Sequence, residues 1–337
     1  MSVYLKRVIA SVLFVAGIFG LLWGSSEIFE PHGKQTEFGI EDPDATAIVD
    51  EKPQTLDVVV FGDSESYSNI VPLEIWKEAG ITTFICGTSA QQLSYTEALI
   101  KRTFKTQSPK IIILETNALF RKVPSAQLTV NMMSEYFSIF SYHNRWKSVL
   151  DFRKKSSEDS GNHKGYKHSS NAKPAYPGDY MKYTDEVADI SDVNKHYIES
   201  IKKLCDEKGA ELVFLSTPSC KNWNYKRHNA VDLVAKDLGC RFIDLNLETE
   251  EIGINWEYDT RDNGDHLNHQ GAVKTSKYIL GYLQQIKSFA DKRTDPEYKE
   301  WNEKLQKYET FIEEERLEKQ EKEKQDKKDG KDGKGKK

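Results

Sequence analysis

Two short segments far apart in the chain carry side chains that suit nucleophilic catalysis. Gly62-Asp63-Ser64 directly follows the apolar run LDVVVF, and His266 lies in the polar segment DNGDHLNHQG. A serine hydroxyl becomes a nucleophile when an imidazole accepts its proton and an acid orients that imidazole. The sequence therefore favours Ser64 as a nucleophile with His266 as its base, although Gly-Asp-Ser alone is also ordinary in a turn after a strand.

Two acids compete for the third place in this arrangement. Asp262 lies four residues before His266, and Asp265 lies directly before it. Adjacent side chains in an extended loop point apart, so Asp265 reaches the imidazole only if the loop kinks. Asp262 is the preferred acid and Asp265 the close alternative, and a dyad with no acid stays open.

Five short apolar runs predict the strands that must position these residues. They are LDVVVF, TTFIC, KIIIL, ELVFL and CRFI, in chain order. Helical patterns over 72–80, 95–104, 193–207, 230–238 and 270–286 separate or follow them. Runs such as VVV and IIIL are typical of strands that are buried on both faces, as in a parallel sheet. The pattern predicts an α/β fold, a three-layer αβα sandwich with a five-stranded, mostly parallel flavodoxin-like sheet. Ligands of such sheets bind at the carboxyl ends of the strands, where Ser64 lies.

Four blocks of this sequence together resemble those of the SGNH, or GDSL-type, hydrolases. Ser64 matches the first block, Gly87 the second and Asn117 the third, while His266 begins a His-x-Asn-x-x-Gly match to the last. The resemblance covers about residues 55–288. It implies an oxyanion hole made by the backbone N–H groups of Ser64 and Gly87 and by the amide of Asn117.

The sequence departs from that family at three places. Glu65 stands where leucine is common, the Gly-x-Asn-Asp form of the third block is absent, and Asn263 occupies the usual place of the acid. Turn glycine and helix-capping amide are the simpler interpretations of Gly87 and Asn117.

The first residues predict a membrane anchor. The uncharged run 8–24 follows Lys6 and Arg7, and its length is near the lower limit of roughly 17–25 residues for crossing a bilayer. A positive flank stays on the cytoplasmic side, which predicts a single-pass cell-membrane protein with an extracytoplasmic domain. A cleaved signal peptide is the alternative.

The rest of the chain divides by composition. We expect an anchor over 1–29, a polar stalk over 30–54, the catalytic domain over 55–290 and a charged, helical to disordered, solvated tail over 291–337. The domain contains an insertion over 119–190, with an aromatic first half and a polar second half. We interpret it as a cover over the site, with a surface loop as the alternative.

Composition restricts the partners. The net charge of −5 and the absence of a basic, aromatic stripe argue against nucleic acid, and no motif predicts a metal or cofactor. An anchor joined to such a domain is similar in layout to accessory proteins of cell-envelope acylation, such as those of lipoteichoic acid D-alanylation and alginate acetylation. That similarity implies an esterase or O-acyltransferase acting on acyl esters of a cell-surface glycan or polyol, with a membrane-bound O-acyltransferase as partner. The alternative is an SGNH-fold binding or scaffolding protein of the cell envelope that has lost catalysis.

Overall fold

A five-stranded parallel sheet forms the centre of the molecule, in a computed structural model that describes residues 2–29, 47–122, 137–140 and 163–332 together with Ala45 and Met133. The strands are β1 (Val58–Gly62), β2 (Thr83–Gly87), β3 (Ile111–Glu115), β4 (Glu211–Ser216) and β5 (Arg241–Asp244). Their order across the sheet is β2-β1-β3-β4-β5, and every neighbouring pair is parallel. This is the flavodoxin-like order, so the predicted fold class is confirmed.

Helices connect the strands and cover the sheet. They are α1 (Val3–Phe29), α2 (Ser64–Asn69), α3 (Pro72–Ala79), α4 (Leu93–Thr106), α5 (Asp192–Lys208), α6 (Tyr225–Leu238), α7 (Thr249–Ile252), α8 (His269–Ile286) and α9 (Lys299–Asp332). Within the described residues, short 3-10 turns cover Ala47–Asp50, Thr116–Phe120, Ser138–Phe140 and Pro296–Tyr298. Helix α4 packs on α5, whereas α3 packs on both α8 and α9.

The apolar runs form strands because both of their faces are covered. Every residue of β1, β2 and β3 is buried, so a β-branched side chain gains packing on either side of the sheet. The register pairs Gly62 with Gly87 at the carboxyl ends of β1 and β2. The segments that follow β1, β2 and β3 therefore meet at one edge of the sheet.

The second half of the predicted insertion packs more closely than a polar loop would. The carbonyl of Lys164 accepts the Ile85 N–H at 2.9 Å, next to the free edge of β2. The Lys164 side chain is buried, pairs with Glu51 at 2.7 Å and lies 4.1 Å from the ring centre of Trp301. Residues 163–190 thus extend the body of the domain, while most of the aromatic half lies outside the described residues.

The expected boundaries at both ends of the domain also differ from the structure. Ile48, in the predicted stalk, is buried in the core, while 30–44 lie outside the described residues. Trp301 and Tyr308, in the predicted solvated tail, are 4% and 1% exposed. The beginning of α9 is therefore part of the folded domain, because its aromatic side chains bury against α3.

Helix α1 is long and apolar enough to cross a membrane. Its large apolar side chains are exposed, as they would be in lipid. A signal sequence meets the same criteria of length and composition.

Candidate active site

Ser64 lies where the chain leaves β1 and begins α2. The Asp63 side chain caps the helix by accepting the Glu65 N–H at 3.1 Å. A Cβ on Gly62 would lie 2.5 Å from the Cβ of Glu115, so only glycine allows β1 and β3 to approach this closely. Ser64 is half-buried while its neighbours on both sides are buried, which leaves its hydroxyl at the edge of the sheet.

Ser64, His266 and Asp262 form a continuous chain of hydrogen bonds. The Nε2 of His266 is 2.8 Å from Ser64 Oγ, and its Nδ1 is 2.6 Å from Asp262 Oδ2. The other oxygen of Asp262 accepts the backbone N–H of His266 at 2.7 Å. One carboxylate thus holds the ring and the loop together, and the ring joins it to the serine.

A tight turn brings Asp262 back to His266. Asn263 and Gly264 both adopt left-handed backbone conformations, with φ of 65° and 91°. Asparagine and glycine are the residues that tolerate this region best. The amide of Asn263, in the usual place of the family's acid, points away and donates to the Pro174 carbonyl at 3.0 Å.

Asp265 lies close to His266 but is held by other groups. Its Oδ2 is 3.8 Å from Nδ1 of His266, too far for a hydrogen bond. Its Oδ1 accepts the amide of Asn222, and its backbone carbonyl accepts the Ser219 hydroxyl at 2.6 Å. Of the two predicted acids, Asp262 occupies the place that orients the ring.

The surroundings favour a protonated imidazole. Burial lowers the pKa of His266, but the Asp262 hydrogen bond and the charges of Glu65, Asp265 and Asp262 outweigh it and raise the pKa above 6.5. Burial also acts to raise the pKa of Asp262, and its hydrogen bonds to His266 lower the pKa below the usual value. The carboxylate therefore stabilises positive charge on the ring when it takes a proton.

Gly87 and Asn117 both lie beside the start of α2. A Cβ on Gly87 would overlap Ser66 Oγ and lie 3.2 Å from the Asp63 carbonyl, so glycine is required for this close approach. The Nδ2 of Asn117 donates to Asp63 Oδ2 at 2.8 Å. The structure thus brings the residues from the ends of three neighbouring strands together.

Three buried carboxyl groups surround these residues. Asp63 forms an ion pair with Arg121. Burial and the charge of Asp63 raise the pKa of Glu115 far above its usual value. Burial likewise raises the pKa of Glu65 to about 7, partly opposed by the positive charge of His266.

Glu65 connects the nucleophile helix to two loops. Its Oε2 accepts from Asn69 at 2.7 Å and its Oε1 from Asn222 at 2.8 Å. Asn69 in turn accepts the Leu267 N–H at 2.9 Å, next to His266. A leucine at this position could make none of these bonds.

Glu65, Asp265 and His266 place potential metal-ligand atoms within 4.8 Å of one another. The amide nitrogen of Asn222 donates to both carboxylates of this group. A donor nitrogen between two carboxylates points its hydrogens where a cation would lie, which disfavours a metal ion there. The arrangement suits a hydrogen-bonded acid cluster better than a metal centre.

Sequence reasoning missed the side chains that support the site. They are Arg121, Asn69, Asn222 and Arg227, all polar residues in or near segments that follow strands or α2. Their position after predicted strands was the available signal, but a polar residue there is ordinary loop composition.

No family model and no curated protein matches this sequence. Solved structures with similar folds include a GDSL-like lipase from Bacteroides thetaiotaomicron, which is 11% identical, with a TM-score of 0.38 over 72% of this chain and 96% of the lipase. An acetylxylan esterase from Geobacillus stearothermophilus is 10% identical, with a TM-score of 0.37 over 68% of this chain and 94% of the esterase. A lipase/acylhydrolase from Enterococcus faecalis is 10% identical, with a TM-score of 0.35 over 68% of this chain and 96% of that enzyme. These overlaps are too distant to assign a function to this chain.

Proposed function

We propose that this protein is a serine esterase or acyltransferase. The observation that carries this proposal is the hydrogen-bonded chain from Ser64 through His266 to Asp262, with 2.8 Å and 2.6 Å between the bonded atoms. An unassisted serine hydroxyl is a weak nucleophile at neutral pH, and a neighbouring imidazole base activates it.

The reaction follows from the positions of these atoms. Ser64 Oγ attacks an acyl ester carbonyl while its proton passes to Nε2 of His266, giving a tetrahedral oxyanion. The imidazolium then gives that proton to the departing alkoxide, which leaves as an alcohol, and an acyl-serine forms. Water or a second alcohol attacks the acyl-serine while its proton passes to His266, and the imidazolium returns that proton to Ser64 Oγ as the acyl group leaves.

The oxyanion needs donors that are already in place. Backbone N–H groups at Ser64 and Gly87 and the amide of Asn117 are the proposed donors, because all three lie beside Asp63 and the start of α2. Each such donor is worth about 3–4 kcal/mol in comparable enzymes.

We infer further that the acceptor is a hydroxyl of a cell-surface glycan or polyol, and that a membrane-bound O-acyltransferase is a partner. The apolar helix α1 supports a location at a membrane. Acyl transfer is tested by incubating the full chain with an acyl ester and glycerol: mass spectrometry should detect acylglycerol beyond the Ser64→Ala background. The partner is tested by co-purification of the full chain in mild detergent, where recovery of no acyltransferase would contradict it.

The alternative of a binding protein that has lost catalysis depends on the unusual place of the triad acid, because Asn263 occupies its usual position. Asp262 supplies that acid from four residues before His266. No contact of the described residues specifically favours a binding role over catalysis.

The central experiment compares wild type, Ser64→Ala, His266→Ala and the double variant on p-nitrophenyl acetate. Both single variants should lose turnover, and the double variant should be no worse than either single, because the two residues act as one unit. The melting temperature of Ser64→Ala should stay close to wild type, since the Ser64 hydroxyl contributes little packing. Wild-type turnover in Ser64→Ala would contradict the proposed function.

A further inference from the structure

The side-chain amide of Asn117 is held between a group that only donates and a group that accepts. Nη1 of Arg227 donates to Oδ1 of Asn117 at 2.7 Å. On the other side, Nδ2 of Asn117 donates to Oδ2 of Asp63 at 2.8 Å. A guanidinium has no acceptor, so an inverted amide would lose this bond and turn its oxygen toward the Asp63 carboxylate.

We propose that Arg227 is a positioning residue that fixes the orientation of the Asn117 amide for oxyanion binding. This inference rests on the proposed function, in which Asn117 is an oxyanion donor. An amide nitrogen carries two hydrogens, and Asp63 takes one of them. With Arg227 in place, the Asn117 nitrogen stays beside Asp63, the residue before Ser64. Its second hydrogen is then the one proposed to bind the oxyanion.

Arg227 is itself rigidly held. Its guanidinium carbon lies 4.6 Å from the ring centre of Phe120, and Nη1 also donates to the carbonyl of Asn222. It belongs to the first turn of α6, which Asn224 caps by accepting the Arg227 N–H at 3.1 Å. Planar stacking and a fixed fork of donors make arginine better suited than lysine to orient an amide.

Arg227 bonds none of the reacting atoms directly, and Asn117 is its link to the proposed oxyanion site. Among the described residues, its side-chain hydrogen bonds go to Asn117 and Asn222 and none goes to Ser64 or His266. Its removal should therefore lower the stabilisation of the oxyanion while the hydrogen bonds of His266 to Ser64 and Asp262 remain.

The test is a double-mutant cycle with the full chain in detergent and p-nitrophenyl acetate as substrate. Arg227→Met should lower kcat by about 10- to 100-fold, part of the loss known for one oxyanion donor, with KM nearly unchanged. The inflection of kcat/KM with pH should stay close to the wild-type value, because the hydrogen bonds of His266 to Asp262 and Ser64 are retained. Arg227→Lys, which retains one donor, should recover part of the loss.

In the Asn117→Ala background, Arg227→Met should cause no further loss, since its effect passes through the amide. Lys226→Met, at the neighbouring exposed position, is the matched control and should match wild type.

An equal loss from Arg227→Met in both backgrounds, or none in either, would overturn the role of Arg227 while Ser64-dependent turnover remained. If Arg227→Met does not fold, Arg227→Lys enters the same cycle and must show the same dependence on Asn117. Turnover that does not depend on Ser64 would overturn both proposals, a result distinct from the others.

Discussion

The contacts of Asp262 and Asp265 differ in a way that kinetics can measure. Asp262 bonds both the ring and the backbone of His266, whereas Asp265 is 3.8 Å from the ring and is bonded by Asn222. Asp262→Asn should lower kcat/KM by about 10³-fold or more, since the orienting acid of a triad has effects of that size. Asp265→Asn should cost less than about tenfold. The opposite ranking, at equal folded fractions, would show that Asp265 orients the base.

The pH dependence of the same variants tests the role of the acid independently. Catalysis needs a neutral His266, and hydrogen bonding and nearby negative charges raise its pKa above 6.5. Wild-type kcat/KM should therefore rise with pH through an inflection above 6.5. Asp262→Asn removes the hydrogen bond and charge that favour imidazolium, so its inflection should move to lower pH. An unchanged inflection would contradict the link between Asp262 and His266.

Glu65 makes a prediction about stability rather than rate. Burial raises its pKa from 4.5 to about 7, so the unfolded chain releases this proton at a lower pH than the folded protein does. The free energy of unfolding therefore falls as pH rises from about 4.5 to 7, and the total fall approaches about 3 kcal/mol above that range. Glu65→Gln cannot ionise, so its stability relative to wild type should increase by about 2–3 kcal/mol between pH 5 and pH 8, since part of the wild-type loss has already occurred at pH 5. Urea midpoints at both pH values measure this difference, and a difference independent of pH would contradict it.

At the scale of single residues, the sequence predicted the members of the site better than their contacts. Ser64, His266, Asn117 and Gly87 were predicted from their positions after strands and from the family blocks. The preference between Asp262 and Asp265 depended on backbone turns at Asn263 and Gly264, which composition alone did not determine. Arg227 is 110 residues from Asn117, so no local pattern could pair them.

At the scale of elements, α9 offers a direct test of where the domain ends. The Trp301 ring lies 5.3 Å from that of Trp76 on α3, and its side chain is buried. Trp301→Ala should lower the free energy of unfolding by about 3–5 kcal/mol, as expected for a buried tryptophan. Leu317→Ala, on the same helix but 46% exposed, is the control and should change it by less than about 0.5 kcal/mol. Equal urea midpoints for wild type and Trp301→Ala would indicate a solvated helix.

The elements that could be predicted are those whose apolar pattern is continuous. Strands β1 to β4 are short, nearly continuous apolar runs, so length and flanking turns were sufficient to predict them. In α9 the inward residues Trp301, Leu305, Tyr308 and Ile312 do recur at helical spacing, but charged residues surround them and hide the stripe. The Lys164 carbonyl meets β2 through a backbone hydrogen bond from Ile85, for which a polar sequence gives no signal.

At the scale of the whole molecule, the proposed anchor α1 makes a prediction about topology. Basic residues flanking a first apolar helix stay in the cytoplasm, so Lys6 and Arg7 predict that everything after α1 lies outside. Protease added to intact spheroplasts should digest the domain. Alkaline carbonate should leave the undigested chain in the membrane if α1 is retained, and release it if α1 is a cleaved signal sequence.

The charges themselves provide the decisive variant. Replacing both cations, Lys6→Glu with Arg7→Glu, removes the positive flank without changing the apolar length of α1, so a larger share of the chain should become protected from protease. Lys299→Glu with Lys304→Glu, on the surface of α9, makes the same change of charge far from α1 and should leave the digestion pattern unchanged. Two controls are needed. A known cytoplasmic protein must stay undigested in intact spheroplasts, and protease must digest the domain of every variant in lysed spheroplasts. Protection then reports the side of the membrane rather than resistance of the fold to protease. Full protection of the wild-type domain in intact spheroplasts would place Ser64 in the cytoplasm, where a cell-surface polymer cannot be its substrate.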